Sequence, residues 1–263
     1  MGIFNFLSRR SKPAAAASAP VPDPAIANRA RRAAEWTRLL DSLQHPFELV
    51  PGSEAQAALE AAQALGRIKS FCPLLIQPGF DGNILTESIR LEDSKVRLPA
   101  EYFDRRAREL AQDADGLALF DDVEEVEPKE RPAQLYVVDW LSEARPLSPF
   151  AEVAILRLPC SESWKIPLFA DFIGPADQSG RTRGDEIGIE KGWHDQFGAE
   201  LCCLGPRSWQ FRVARPPQDH RQAVQLLRQR YLYSWVDGAY DKEHIENGAA
   251  ALRVDAYWWF SWT

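Results

Sequence analysis

The chain has 263 residues, of which 45% are hydrophobic and 26% charged, and its formal net charge is −7. This composition is typical of a globular protein with a large core, and the acidic balance disfavours binding to nucleic acid or anionic membranes, which requires a basic surface. No apolar run approaches the roughly 20 residues of a membrane-spanning helix, and the N-terminus has no recognisable signal peptide. We therefore expect a cytoplasmic protein whose four cysteines are reduced.

The beginning of the chain is predicted to be a tail followed by helices. Residues 11–25 are rich in Ala, Pro and Ser and cannot bury enough surface to offset the entropy lost on ordering, so we expect a disordered tail and linker over residues 1–25. From residue 26, apolar residues recur at helical spacing and predict a first helix. A second helix is predicted over 54–65, with Ser53 as its N-cap and Gly66 just after its end.

The rest of the chain mixes the two kinds of element. Short apolar or β-branched runs bounded by Pro, Gly or polar turns predict strands at 71–77, 135–140, 152–158, 164–172, 200–204 and 208–213. Amphipathic spacing predicts helices at 99–112, 185–197, 218–232 and 241–252, with Asp219 as a cap of the third. Because this order lacks a strict βαβ alternation, we predict an α+β fold with a mixed or antiparallel sheet and helices packed mainly on one side.

The last seven residues contain five aromatic rings. A chain end normally frays, so this concentration of rings predicts a terminal strand docked into a core. Trp258 and Trp259 are adjacent and must face opposite sides of such a strand. One of them faces the helical layer, and the other needs a cover from the N-terminal segment or from a partner, which makes Trp258 and Trp259 candidate partner-binding residues.

An acidic stretch lies just before the middle of the chain. Eight carboxylates and one Lys lie between residues 113 and 130, and neighbouring Gly and Pro favour a surface loop. One interpretation is a solvated connector. The other is a mimic of a polyanion that docks in the positive cleft of a nuclease-like toxin, with Val123 and Val126 as apolar anchors. The candidate partner-binding carboxylates are Asp121, Asp122, Glu124, Glu125 and Glu127.

The signals for a metal or phosphate site are weak. Glu190 and His194 have the spacing of a helical metal pair, with Asp195 beside them, but no His-x-x-x-His or Cys-x-x-Cys accompanies them. We therefore favour a structural role and predict no cofactor. A Gly-rich stretch with Arg181 and Arg183 runs into a predicted helix and is a candidate phosphate loop, but it lacks the Walker Lys and the Rossmann spacing, so a surface loop is preferred.

Cysteine chemistry is a second weak signal. Cys160 follows a predicted strand and can meet His194 or His220 in space as nucleophile and base, although no local motif marks it. Cys202 and Cys203 fall within an apparent core strand, where small buried thiols are common.

Five segments in the last part of the chain match a known family in order and spacing. They are the Trp-Lys-Ile-Pro of residues 164–167, the Trp-His-Asp-Gln-Phe-Gly-Ala-Glu-Leu of 193–201, the Val-Ala-Arg-Pro-Pro of 213–217, the Tyr-Leu-Tyr of 231–233 and the Trp-Trp-Phe-Ser-Trp of 258–262. From about residue 150 to its end, the chain resembles the bacterial family called domain of unknown function 4253. Where this resemblance leads us to expect Gly-Gly-Trp-Asn-x-Cys-Pro, residues 174–179 differ, so a chemical site there would be missing. Some related domains resemble cytoplasmic proteins encoded near secreted toxins, and the resemblance therefore implies toxin immunity.

These features suggest an organisation and two ranked functions. We expect a tail at 1–25, a helical or α+β region at 26–130 and a C-terminal α+β domain at 131–263. The first hypothesis is a non-enzymatic protein-binding protein, an immunity protein that occludes the active site of a basic secreted toxin. The alternative is a small hydrolase or transferase with a Cys/His or carboxylate site. A third possibility is a scaffold whose aromatic face binds another cellular protein.

Overall fold

The computed structural model describes residues 24–80, 82–85, 88–91, 95–110, 115–129, 135, 152–171, 180–205, 208–234 and 241–261. Residues 1–23 of the predicted tail lie outside this set. So do most of the predicted strand at 135–140 and the divergent segment at 174–179.

Seven α-helices occur among the described residues. They are α1 (Pro24–Ser42), α2 (Ala55–Lys69), α3 (Pro99–Leu110), α4 (Asp115–Ala118), α5 (Arg183–Phe197), α6 (His220–Ser234) and α7 (Lys242–Leu252). The helices predicted from residues 26, 99, 185, 218 and 241 are confirmed, and their observed starts differ by two residues or fewer. Asp219 caps α6 as predicted, since its Oδ1 accepts the backbone N–H of Gln222 at 2.8 Å. Within the described part of the chain, no helix combines the length and apolar character needed to cross a bilayer.

The strands are β1 (Phe47–Pro51), β2 (Cys72–Ile76), β3 (Asn83–Ile84), β4 (Glu152–Leu158), β5 (Ala170–Asp171), β6 (Ala199–Gly205), β7 (Ser208–Val213) and β8 (Tyr257–Ser261). Six of them form one sheet in the order β1-β4-β2-β6-β7-β8, and β3 pairs with β5 separately. Strands β2 and β6 are parallel, and the other neighbours in the large sheet are antiparallel. The predicted α+β class with a mixed sheet is therefore confirmed.

Most helices cover one side of the sheet, which we call the first face. Its core contains an aromatic cluster around Trp193 of α5. The ring centroid of Trp193 lies between 5.0 and 6.1 Å from those of Phe211, Tyr233, Trp258 and Phe260. These offset and edge-on contacts join α5, α6, β7 and β8 into one unit.

The opposite side of the sheet, the second face, packs against α2. Ala55, Leu59 and Ala62 of this helix belong to a core cluster that also contains Cys202 and Cys203 of β6. Both cysteines are fully buried, which confirms their assignment to a core strand. Burial raises the pKa of Cys203 to about 12, so its thiol stays protonated.

The aromatic C-terminus forms the last strand of the sheet, as predicted. β8 pairs with β7, and Trp258 is 1% exposed within the core of the first face. Trp259 pairs with Gln210, which pairs with Cys203, so its side chain lies on the second face. It is 43% exposed there. The two tryptophans therefore face opposite sides.

The prediction of a strand at 164–172 is wrong. Ser163–Leu168 is a 3₁₀ helix, and only Ala170–Asp171 is extended. Nearly every side chain in this run is buried, and a short run that is apolar throughout does not reveal whether the backbone is helical or extended.

The predicted end of the second helix is also wrong. Gly66 lies inside α2, which continues to Lys69 and ends at Ser70 in the left-handed conformation. A Cβ on Gly66 would lie 2.4 Å from the carbonyl oxygen of Phe71. The glycine therefore permits the chain to turn back closely against α2 on its way into β2, rather than ending the helix.

Candidate functional sites

A capping box fixes the start of α5, the helix that carries several candidate residues. Thr182 Oγ1 accepts the Asp185 backbone N–H at 3.2 Å, and Asp185 Oδ2 accepts the Thr182 backbone N–H at 2.9 Å. Arg97 and Arg105 also pair with Asp185, at 3.4 and 3.2 Å. Although burial opposes it, this set of donors and charges lowers the pKa of Asp185. The start of α5 is thus tied to α3 and the segment before it.

Arg181 is not available to bind a phosphate. Its side chain is fully buried, and its Nε lies 2.7 Å from Glu186 Oε2. Its Nη1 donates to the backbone oxygen of Tyr233 at 2.7 Å, and its guanidinium lies 4.0 Å from the centre of the Tyr233 ring. Arg181 therefore does not support the candidate phosphate loop, because its guanidinium forms a buried ion pair with Glu186.

Glu190 completes this buried ion cluster, which we define as Arg181, Glu186, Glu190 and Tyr233. The Tyr233 hydroxyl donates to Glu186 Oε1, and the Glu190 carboxyl lies beside that of Glu186. Burial and the neighbouring charge of Glu186 raise the pKa of Glu190 well above its ordinary value. One arginine faces two carboxyl groups, which favours the protonated form of Glu190.

The three residues considered as metal ligands are not brought together. Glu190 lies in the buried ion cluster, whereas Asp195 is exposed and pairs with Lys191. His194 lies at the end of α5, and its Nδ1 is 3.3 Å from the Ala199 carbonyl oxygen. Over the described residues, no group of three or more His, Cys, Asp or Glu side chains is placed to hold a metal ion.

His194 forms part of the wall of a small cavity between α2, the start of β2 and the end of α5. The cavity has a volume of about 160 Å³, and its wall includes Arg67, Cys72, Glu162, His194 and Glu200. The hydrogen bond to the Ala199 carbonyl requires a hydrogen on Nδ1, so the neutral imidazole has its lone pair on Nε2. The cavity thus combines a thiol, an imidazole that can accept a proton, and charged residues.

Cys72 in this wall lies opposite Leu158 of β4, two residues before Cys160, and we call Cys72 and Cys160 the cysteine pair. Each is 7% exposed, and both are free thiols. Backbone hydrogen bonds from Cys72 and Glu162 and the charge of Lys165 also favour a thiolate at Cys160. The thiol of Cys72 is the largest of the influences that lower the pKa of Cys160, while the pKa of Cys72 is raised.

Among the described hydrogen bonds, neither His194 nor His220 contacts Cys160, so the predicted nucleophile and base are not brought together. His194 shares the cavity wall with Cys72 instead. His220 lies elsewhere, with its Nε2 at 2.9 Å from the Val123 carbonyl oxygen. The cavity residues that the sequence did not suggest are Arg67, Cys72, Glu162 and Glu200. These residues lie far apart in the chain, so no sequence motif groups them, and only their charged or thiol side chains mark them as candidates.

The acidic segment, residues 121–127, lies against α6 and α7. Lys242 Nζ is 2.7 Å from Glu124 Oε1, and Arg253 Nη1 is 2.8 Å from Glu125 Oε1. The pairing lowers the pKa of Glu124. Asp121 and Asp122 are exposed at the other end of the segment. Two of the five candidate carboxylates are therefore held by basic residues of the same molecule, and Glu127 is exposed beyond them.

One ring contact and one hydrogen bond bring the acidic segment and β8 to the same helix. The ring of Phe120, just before the segment, lies 5.5 Å from that of Tyr231. Arg230 donates to the backbone oxygen of Trp259 at 2.6 Å. Consecutive residues of α6 therefore contact Trp259 and the residue that directly precedes the acidic segment.

The C-terminal part of the chain also matches a protein family. The model of the family described as Domain of unknown function (DUF4253) matches residues 154–263. This match confirms the resemblance seen in the sequence. No curated protein and no solved structure gives a significant match to the chain.

Residues 154–263, which we call the DUF4253 region, contain some of the candidate residues and not others. It includes Cys160, His194, the buried ion cluster and Trp259. Cys72 and the acidic segment precede it. The cavity therefore combines side chains from the DUF4253 region with side chains from α2 and β2.

Proposed function

We propose that this protein is a non-enzymatic binding protein that recognises another protein, and that its partner is a basic secreted toxin whose active site it occludes. The observation that carries the proposal is the exposed indole of Trp259 on the last strand of the sheet. The resemblance to the DUF4253 family, the net charge of −7 and the exposed part of the acidic segment support the choice of a basic toxin as the partner.

Trp259 has the properties of an interface anchor. Its neighbours Trp258 and Phe260 are buried and hold the strand in place, while its own ring is 43% exposed. Arg230 fixes its backbone through the bond to its carbonyl oxygen. A large rigid ring presented by an ordered strand loses little conformational entropy on binding, and tryptophan is enriched among residues that dominate binding energy.

The acidic segment supports a different part of the same proposal. Asp121 and Asp122 add negative charge near α6 without being paired as Glu124 and Glu125 are. Exposed charges of this kind accelerate the encounter with a partner of opposite charge more than they strengthen the final complex. Their effect should therefore lie mainly in the association rate, whereas that of Trp259 should lie in the dissociation rate.

The test uses the toxins encoded beside this gene in its host. Each is expressed in cells with wild-type protein or with one of three variants: Trp259→Ala, the double variant Asp121→Asn with Asp122→Asn, and Ile68→Ala. Ile68 is a matched control, because it is a large apolar residue of α2 that is 80% exposed. We expect wild type and Ile68→Ala to protect the cells equally, and Trp259→Ala to weaken toxin binding by about 30-fold or more.

Binding kinetics separate the two features. The aspartate variant should slow association, with the difference shrinking as salt is raised, and should leave dissociation nearly unchanged. The proposal is wrong if no neighbouring toxin is neutralised. Equal toxin binding by Trp259→Ala and wild type would show that the indole is not the anchor.

A second function is favoured by the cavity, which places Cys72 and His194 in one wall with Cys160 next to Cys72. This arrangement is compatible with a small hydrolase or transferase. The volume of about 160 Å³ is smaller than the roughly 300–1,000 Å³ of typical ligand sites, which is why we rank it second. A Cys72→Ser, Cys160→Ser double variant that still protects cells against the toxin supports binding, whereas loss of protection by a folded variant supports the enzyme.

A further inference from the structure

An open groove lies between α6 and the chain around the start of the acidic segment. Its volume is about 500 Å³, and its wall includes Phe120, Val123, Arg221, Val224 and Arg228. We call it the α6 groove. This volume falls within the roughly 300–1,000 Å³ of typical ligand sites. The groove is therefore large enough for a small organic molecule.

One side of the groove is a single face of α6. His220, Val224 and Arg228 follow one another at intervals of four residues, and Arg221 and Gln225 have the same spacing, so all five lie on one face of the helix. The side chains of Arg221, Gln225 and Arg228 are exposed. They are therefore accessible to a molecule in the groove.

The other side is held against α6 by two contacts. His220 Nε2 lies 2.9 Å from the Val123 carbonyl oxygen. The ring of Phe120 lies 5.5 Å from that of Tyr231. Because both sides are fixed in the folded chain, a ligand finds the groove already formed and does not have to order it.

The two arginines of the groove are unpaired. Within the described part of the chain, the side chains of Arg221 and Arg228 form no ion pair or hydrogen bond. Glu124 and Glu125 are held by other basic residues of the molecule. Asp121 is the one carboxylate among the described residues of the wall. The groove is thus locally positive on a protein whose net charge is −7.

This combination of charge and apolar surface indicates the chemistry of the ligand. The planar guanidinium of arginine binds carboxylate or phosphate through paired hydrogen bonds. Val123 and Val224 are partly exposed in the same wall and provide apolar contact. An anionic head and an apolar body on one molecule satisfy both features.

We propose that the α6 groove is a binding site for a small organic anion with an apolar body, whose charged head pairs with Arg221 and Arg228. This inference goes beyond the binding function proposed above and does not depend on it, because neither Trp259 nor the charge of the acidic segment carries it.

The experiment titrates the full-length protein with two fluorescent probes that share one apolar body. Anilinonaphthalene sulfonate has an anionic head, and phenylnaphthylamine is the same body without it. We expect the double variant Arg221→Gln with Arg228→Gln to bind the sulfonate probe about 10-fold more weakly than wild type, because charge-assisted hydrogen bonds are lost. The neutral probe should bind both proteins equally.

The matched control is Arg108→Gln. Arg108 is an exposed arginine of α3 whose side chain bonds to a carbonyl oxygen of its own helix. Its substitution should leave both titrations unchanged. Urea unfolding checks the stability of the double variant, which should equal that of wild type because both arginines are exposed and unpaired. If the double variant is unstable, each single variant replaces it and should bind the sulfonate probe more weakly than wild type.

Competition identifies the head group. Octanoate and octyl phosphate have the same alkyl body, and the one that displaces the sulfonate probe from wild type more strongly shows whether the site prefers a carboxylate or a phosphate. Inorganic phosphate at the same concentration should displace little of the probe, because it has no apolar body.

Three results contradict the proposal. The first is equal binding of the sulfonate probe by wild type and the double arginine variant. The second is failure of both octanoate and octyl phosphate to displace that probe. The third is displacement by inorganic phosphate as strong as that by octyl phosphate, which would mean that the apolar part of the groove does not take part in binding.

Discussion

Single residues of the buried ion cluster show how this core accommodates charge. Arg181 and Glu186 form a pair 2.7 Å apart that is shielded from water, and Tyr233 contributes a hydroxyl to Glu186 and a ring to Arg181. Such pairs do little for stability when compared with apolar side chains, but breaking one leaves an uncompensated buried charge. The raised pKa of Glu190 beside Glu186 favours its protonated form, which would avoid that cost.

Glu190→Gln is expected to change how stability depends on pH. Burial raises the pKa of Glu190 in the folded protein, so the folded state retains a proton that the unfolded chain releases near its ordinary value of 4.5. The free energy of unfolding of wild type therefore falls as pH rises above that value, and glutamine removes this contribution. Urea unfolding at about pH 5 and about pH 8 should show the variant gaining stability relative to wild type at the higher pH.

The control for this prediction is Asp195→Asn, which lies at the exposed end of the same helix. It should shift stability by a similar, small amount at both pH values. If Glu190→Gln behaves like this control, Glu190 is ionised in the folded protein and our account of the cluster is incorrect.

Among the elements, α5 depends on glycines for its close contacts. The Arg97 backbone N–H donates to the Gly184 carbonyl oxygen at 3.3 Å, so the chain before α3 runs directly against the helix. A Cβ on Gly188 would lie 2.0 Å from the Arg97 carbonyl oxygen. Helix α7 offers a contrast, because a Cβ on Gly248 would meet only the flexible end of Leu227 at 3.2 Å.

Gly188→Ala and Gly248→Ala are expected to have opposite effects. Alanine favours a helix over glycine by about 1 kcal/mol, so Gly248→Ala should be neutral or stabilising. At Gly188 the clash with backbone atoms exceeds that gain, and we expect a net loss of more than about 1 kcal/mol. Chemical denaturation of the two variants beside wild type checks this. Equal stability of the two would mean that the segment before α3 moves away from α5 at little cost.

At the scale of the whole molecule, β8 completes the sheet with residues from the end of the chain. Its two inward rings contact Trp193 of α5, and Tyr233 of α6 contacts Phe260 at 5.2 Å. The last strand therefore supplies part of the core against which α5 and α6 pack. Trp259 on the other side of the same strand contributes to the surface instead.

Alanine substitutions in β8 should separate these two roles. Trp258→Ala removes a buried ring and should lower the free energy of unfolding by about 3–5 kcal/mol. Trp259→Ala should change it by less than about 1 kcal/mol, because much of its ring is already in water. Thermal and urea unfolding provide the measurement. A large loss in Trp259→Ala would identify the ring as structural and remove the support it gives to partner binding.

Much of the fold was predictable because it follows from local patterns. The starts of α3, α5, α6 and α7 are set by caps and by apolar spacing within a few turns. The strand at Glu152–Leu158 was predicted at the residues where it occurs. By contrast, Gly66 was misplaced as a helix end, since only the return of the chain at Phe71 shows why glycine is needed.

The sequence by itself therefore determined the α+β class, most helices and the docked terminal strand with its two opposed tryptophans, because each depends on neighbouring residues and their periodicity. The tertiary structure alone decided that Cys72 and His194 share a cavity wall, that Arg181 is buried and that Glu124 and Glu125 are paired. These contacts join residues far apart in the chain through strand pairing and helix packing, and no local pattern records which distant residues will be neighbours.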